Sequence, residues 1–439
     1  MGFVNQSSVL ASDSFGNIYS FLWSEEKIVL VYFDKILGST EKTVLIENCS
    51  LEFDAVIDKD DTLYVACQKN DGSIVLLDYM NSTWHTSTLV EANSTKIYNL
   101  SIAAYEKAVH ILYCVSSAES DRRYRIYHHL YEKQSWSTYE VEDIGRKEVL
   151  NPFQIYTEKD RLILCYYNQI KKEEQIFLKT FDTFNKKWGT GVQLTFGSNY
   201  KMYLDTLMTS KENFHLTYSE YVEGNLVVRY EGYKIKGSQV TKMTEEYVSN
   251  PANCSYPTFV YNDKKLWVVW TEYDQVVSSF TMDMGNTWSV PYLWKASKEQ
   301  PFVRYKFLSN DENLKRNYLL NYSFGREFPA FSFIGFGSLD QATEIPLKSK
   351  KKEKDGSPSS IMSENLRGLK DILDSIEKKE VRESREVKEI GRQEAGSHAV
   401  QNTEIDQLKA RMKEVEERIE SIEEYLNRKR RGLLFAPRK

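Results

Sequence analysis

The sequence predicts an all-β fold, a β-propeller of about seven four-stranded blades, followed by a C-terminal α-helical coiled coil. Three observations predict it. A short apolar strand recurs seven times at a steady interval. An alternating segment and, in most units, a tryptophan follow each copy. After about residue 343 the composition turns abruptly charged, and the apolar pattern takes a helical period.

The recurrent strand reads YSFLWS from Tyr19, LYVACQ from Leu63, ILYCVS from Ile111, LILCYY from Leu162, FHLTYS from Phe214, LWVVWT from Leu266 and YLLNYS from Tyr318. The intervals are 44, 48, 51 and then three times 52 residues. An apolar stretch precedes each copy, as in Phe53 to Ile57 or Phe153 to Tyr156, and a polar turn such as Asp58 to Asp61 separates the two. Asp and Asn suit such turns because their short side chains bond the local backbone. After the strand comes an alternating segment, as in Ile74 to Tyr79 or Ile176 to Phe181. Trp84, Trp136, Trp188 and Trp288 then open a fourth strand; the fifth unit offers Val240 instead. Four short strands in about 50 residues mark a propeller blade, which buries its faces only by stacking on its neighbours. The seventh unit ends near Ser338 short of a fourth strand, and Phe3 to Leu10 is expected to supply it and close the ring.

Composition bounds the function. Aromatic residues reach 13%, with 29 Tyr, which suits strands. A net charge of −5 over 439 residues gives no global field for nucleic acid or anionic lipid. Cys49, Cys67, Cys114, Cys165 and Cys254 form no CxxC pair and read as small core residues. No signal peptide or transmembrane run is present, so a cytoplasmic location is expected. Adjacent His128 and His129 point to opposite faces of a strand and cannot share a metal. His85, His110 and His215 read as isolated surface or core residues. No phosphate loop, dinucleotide fingerprint or hydrolase motif occurs, so no catalytic residue, metal or cofactor is assigned.

Thr281-Met-Asp-Met-Gly-Asn-Thr-Trp288 resembles the Asp box of sialidase-like propellers. In that reading Asp283 bonds the hairpin amides, Gly285 permits a positive φ and Trp288 plugs between strands. Trp84, Trp136 and Trp188 keep the tryptophan but lose the Asp or the Gly. The box is a folding device, so the resemblance implies fold and not activity. Sialidases clamp a carboxylate with three arginines beginning in the first blade, whereas Arg122 is the first arginine here. Sialidase activity is therefore not expected.

The predicted propeller spans residues 1–343. Residues 344–361 read as a flexible linker, 362–397 as a short amphipathic helix and charged segment, 398–431 as a coiled coil and 432–439 as a basic tail. Ile405, Leu408, Met412, Val415, Ile419, Ile422 and Leu426 form an unbroken a/d stripe. Arg411 and Arg418 fall at g, Glu416 and Glu423 at e, and branched Val415 and Ile422 at d disfavour a dimer. Self-association as a parallel trimer is expected. Arg428, Lys429, Arg430 and Arg431 are candidate contacts to an acidic partner.

These features favour a non-enzymatic interaction or scaffold protein that presents several propellers on a stalk, each face binding a protein or glycan. The alternative is a carbohydrate-binding protein or divergent glycoside hydrolase of sialidase-like fold. If the stripe assembles, the full-length chain scatters light at about three chain masses. Ile419→Asp then returns it to one, because a charge in that seam cannot be hydrated without opening it. A monomeric wild-type protein at micromolar concentration would rule the stalk out.

Overall fold

The computed structural model describes residues 3–347, apart from 5–6, 81, 118–121, 134, 147–150, 159–160, 238 and 328–330. The segments assigned to most of the linker, the amphipathic helix, the coiled coil and the basic tail, including Ile405 to Leu426 and Arg428 to Arg431, lie outside the described residues.

The described chain is built of repeating antiparallel sheets in a propeller-like arrangement. The first comprises Ser8–Ser12, Ile18–Ser24, Lys27–Phe33 and Thr40–Glu47. The second comprises Cys49–Ile57, Leu63–Lys69, Ile74–Met80 and Thr83–Val90. The third comprises Ile97–Tyr105, Ala108–Ser116, Arg123–Glu132 and Ser135–Gly145. The fourth has Phe153–Glu158, Arg161–Ile170 and Glu173–Asp182, with its outer strand broken into Lys187–Trp188 and Val192–Gln193. The fifth has Lys201–Met208, Asn213–Val222, Asn225–Lys236 and Gln239–Tyr247; the sixth has Ser255–Asn262, Lys265–Glu272, Gln275–Thr281 and Tyr292–Trp294. The recurrent apolar strand is the second of each sheet. It reads as a nearly continuous apolar run because both its faces are buried: apolar clusters fill the space between successive sheets. All five cysteines lie in or beside these layers as buried free thiols.

The seventh unit departs from the expected pattern. Its recurrent strand splits at Asn321. Tyr318–Leu320 pairs with Ser255–Asn262 of the sixth sheet, while Tyr322–Arg326 pairs with Phe302–Ser309. Ser332–Ile334 completes a three-stranded set. The N-terminal segment does not supply an outer fourth strand. Phe3–Val4 and Ser8–Ser12 instead pair in parallel with Phe302–Ser309, the inner strand of the seventh unit. First and seventh units thus share one sheet, and the two ends of the repeat are joined at the inner edge. The β unit also runs past residue 343. Ala342–Glu344 pairs with Tyr292–Trp294, the Ile345 amide donates to Pro291 O at 2.8 Å, and Asn250 Nδ2 donates to Pro346 O at 3.1 Å.

The inner strands carry a device of their own. Asn99, Asn151, Tyr203 and Tyr256 have left-handed φ of 55°, 46°, 55° and 54°, at nearly the spacing of the repeat. The register shifts between Tyr98 and Ser101, Met202 and Asp205, and Ser255 and Thr258, which are bulges. A bulge leaves a backbone amide without its ladder partner, and such an amide needs another acceptor. The preceding sheet provides it. Asp54 Oδ2 accepts from Ile102 N at 2.9 Å, Gln154 Oε1 from Thr206 N at 2.8 Å, and Asp205 Oδ2 from Phe259 N at 2.7 Å. Each donating amide lies three residues beyond a left-handed residue.

Two cations complete the circuit from the seventh unit. Arg304 and Lys306 alternate along Phe302–Ser309 and so share a face. Arg304 Nε donates to Thr258 Oγ1 at 2.9 Å, and its guanidinium lies 3.9 Å from the Tyr322 ring centre. Lys306 Nζ donates to Asp54 Oδ2 at 2.6 Å, Ile102 O at 3.0 Å and Ala55 O at 3.2 Å. Removing one member of a buried pair strands the other charge, at a cost of about 3–5 kcal/mol. Asp54→Ala is therefore expected to lower the urea midpoint sharply. Asp54→Leu combined with Lys306→Met, which removes both charges, recovers most of the loss. Equal destabilisation by the single and double variants would show that the pair does not hold the ends together.

Candidate functional site

At the axis of the repeat the inner strands of several sheets converge on a cavity of about 250 Å³. The charged and amide side chains of its lining are already engaged. Asp54 accepts from Ile102 N, Lys306 and Ala55 N. Behind Gln154 of the lining, both Asp205 oxygens are bonded, by Gln154 Nε2 at 2.6 Å and by Phe259 N. Burial pushes the Asp205 carboxyl up to about 6 against the opposing pull of Arg304 and these hydrogen bonds. Asn99, Asn151 and Asn321 each donate to a main-chain carbonyl of another sheet or unit, namely Phe153, Leu204 and Thr206. The axial side chains are structural ties between sheets.

The turn from Thr281 to Trp288 is equally self-contained. Asp283 Oδ1 accepts from Thr287 N at 2.9 Å and Thr281 Oγ1 at 2.7 Å, and Oδ2 from Thr287 Oγ1 at 2.7 Å. These bonds lower its carboxyl to about 2. Gly285 has φ +95°, and a Cβ there would lie 2.2 Å from Tyr230 of the fifth sheet. Trp288 packs on the same ring at 4.8 Å, and Tyr230 OH donates to Met284 O at 3.0 Å. The structure thus brings Asp283, Gly285 and Trp288 together as an inter-sheet clasp in which both carboxylate oxygens are already bonded. Trp288 lies before the outer strand, which begins at Tyr292.

A groove of about 1060 Å³ between the fourth and fifth sheets differs. Trp188 stands in its wall beside Arg161, Lys187 and Asp182 of the fourth sheet, facing Lys211 and Gly237 of the fifth. Phe181 and His128 support the indole from behind, with ring centres 5.3 and 5.5 Å away. Arg161 Nη2 donates to Lys211 O at 3.1 Å and ties the two sides. Asp182 is engaged by its own turn, accepting from Phe184 N, Asn185 N and Asn185 Nδ2 at 2.8–2.9 Å, which lowers its carboxyl. The Lys187 and Lys211 ammonium groups form no hydrogen bond or ion pair among the described residues. The groove therefore offers an aromatic platform flanked by cations, with its carboxylate already bonded. Sequence reading placed Trp188 on a fourth strand but missed this juxtaposition, since Lys187 and Lys211 come from different units.

The histidines also regroup. His128 and His129 do face opposite ways, but His110 is not isolated: its Nδ1 lies 3.0 Å from His128 Nε2, with the rings stacked. That contact needs one donor and one acceptor, so the pair cannot carry two protons there. His215 is bonded by Tyr230 OH at Nδ1, 2.9 Å, and by Thr209 Oγ1 at Nε2, 2.8 Å. Burial lowers His110, His129 and His215 to about 4, and His128 further. The unfolded chain takes up these protons near pH 6.5, whereas the folded chain does so only near 4. Stability is therefore full above pH 6.5 and falls as pH drops toward 4, by about 1.4 kcal/mol per pH unit for each such histidine. Urea midpoints measured from pH 7 to pH 5 should fall steeply, and less steeply in His215→Phe. A flat profile would show that the rings are hydrated.

No protein-family model matches the chain, and no curated protein matches it in sequence. Among the described residues no three potential metal ligands cluster, and no helix is long and apolar enough to cross a membrane. Among solved structures the chain is similar to an ulvan lyase, from a polysaccharide lyase family, bound to a glucuronic acid–sulfated rhamnose fragment. The identity is 9%, covering 76% of this chain and 96% of that one, with a TM-score of 0.47. It is also similar to the Aleuria aurantia lectin bound to Fucα1-6GlcNAc, at 11% identity, 70% and 97% coverage and TM-score 0.38. An α-L-arabinofuranosidase from Fusarium graminearum gives 15% identity, 62% and 92% coverage and TM-score 0.38.

Proposed function

We propose that this chain is a carbohydrate-binding β-propeller of seven units whose ligand is an acidic glycan held in the groove between the fourth and fifth sheets. The observation that carries this reading is Trp188 placed beside the unengaged ammonium groups of Lys187 and Lys211. An indole stacks on the apolar face of a pyranose, and two cations set beside it favour a carboxylated or sulfated ring over a neutral one. Binding rather than turnover is favoured because Asp182 is tied into its turn and has no second carboxylate placed opposite it in the groove lining. This is the alternative weighed from the sequence, and it displaces a general scaffold as the main reading. In the same proposal, the stripe from Ile405 to Leu426 gathers several propellers, so that weak single sites act with the avidity of linked ones.

The test is titration calorimetry with uronic-acid and sulfated oligosaccharides against neutral ones of equal length. Acidic oligomers are expected to bind at micromolar to millimolar strength and to weaken with added salt. Lys187→Glu and Lys211→Glu, both surface changes, should each weaken binding by about tenfold or more. Equal affinity for neutral glycans, or no effect of either charge reversal, would overturn the assignment.

A further inference from the structure

The seventh unit's three-stranded form has a consequence for the first sheet. In that sheet Ser20 pairs with Val31 and Ile18 with Phe33. Side chains alternate along a strand, so these four share one face. The opposite face, with Phe21 and Leu30, is buried against the second sheet. No fourth strand of the seventh unit covers the near face among the described residues. The helix Glu312–Asn317, with Glu327 and Phe331, lies over it instead. They leave a cavity of about 410 Å³, lined by Ile18, Ser20, Val31, Phe33, Leu314, Glu327 and Phe331.

The walls are largely apolar; Ser12 and Asp311 in the lining are already bonded, whereas Ser20 and Glu327 each carry a buried atom that is not. Ser20 is only 4% exposed, and neither its Oγ nor Glu327 Oε1, both buried atoms, meets a hydrogen-bond partner among the described residues. Burial raises the Glu327 carboxyl above the ordinary range, against the opposing pull of the nearby Ser8 hydroxyl. The cation in the lining is already committed, with Lys35 Nζ 3.6 Å from Asp311 Oδ2. Leaving buried acceptors unbonded costs free energy that a donor-bearing ligand returns. The space is many times the roughly 30 Å³ share of one water.

We propose that this cavity binds a small amphiphilic amine. Its apolar body lies against Ile18, Phe33 and Phe331, and its ammonium donates to Glu327, with Ser20 as a second acceptor. A carboxyl at such a site disfavours anions. A cation gains a charge-assisted bond that an alcohol of the same shape does not. The site is independent of the glycan groove, which lies between other sheets.

The experiment uses the full chain, with phenethylammonium as the probe and 2-phenylethanol as its neutral counterpart, followed by calorimetry and by melting temperature at pH 7. Phenethylammonium is expected to bind and to raise the melting temperature, and 2-phenylethanol to bind more weakly. Glu327→Gln should weaken the amine by about tenfold or more while leaving the alcohol nearly unchanged. Phe33→Trp, which fills the cavity, should abolish both while the protein still melts cooperatively. Lys187→Glu should leave amine binding as in the wild type. An absent response in the wild type, an amine affinity untouched by Glu327→Gln, or binding that survives Phe33→Trp would each overturn the proposal.

Discussion

Strands arranged around an axis face a geometric problem. Their inner edges approach one another but cannot form a continuous ladder, and each carries amides and carbonyls that water reaches poorly. The rest of the structure depends on how this is met. Left-handed bulges at Asn99, Tyr203 and Tyr256 turn one amide of each inner strand outward, and the preceding sheet answers with Asp54, Gln154 or Asp205. The apolar layers between sheets give the bulk of the burial but are tolerant of sliding. The directional bonds at the axis set which sheet follows which, and at what height. Lys306 makes the same kind of contact where the repeat meets its own beginning, bonding the second sheet and the third at once.

Much of this was legible in the sequence, and the reason is periodicity. A strand buried on both faces must be apolar throughout, so the second strand of each unit stands out, and its 52-residue beat sets the architecture. The outer strands marked by Trp84, Trp136 and Trp188 lie where expected. The hairpins were less legible. Glu25-Glu26, Lys171-Lys172 and Tyr273-Asp274 hold both central residues at positive φ, a turn usually announced by Asn-Gly. Here tertiary packing imposes the turn and local preference does not.

The seventh unit misled for a related reason. YLLNYS has the same apolar pattern as its six predecessors, but Asn321 breaks it between two sheets, its Nδ2 held by Thr206 O. A pattern shows that a strand will be buried without saying against which partner. The groove around Trp188 was invisible on the same grounds, because a site between sheets draws on residues from successive units. What periodicity does mark is the boundary between units. Both candidate sites lie at boundaries between units, one where two regular sheets meet and one where the regularity fails.

The parallel pairing of Ser8–Ser12 with Phe302–Ser309 bears on biosynthesis. Val9 lies opposite Lys306, so the partner of this strand is made about 300 residues later. At roughly 5–20 residues per second, a ribosome takes about 15–60 s to deliver it. During that interval the edge bearing Val9, Leu10 and Ala11 has no neighbour on its open side and is a template for wrong pairing, including with the same segment of another nascent chain. The hazard lasts as long as that edge stays open, so slow elongation through the later units lengthens it.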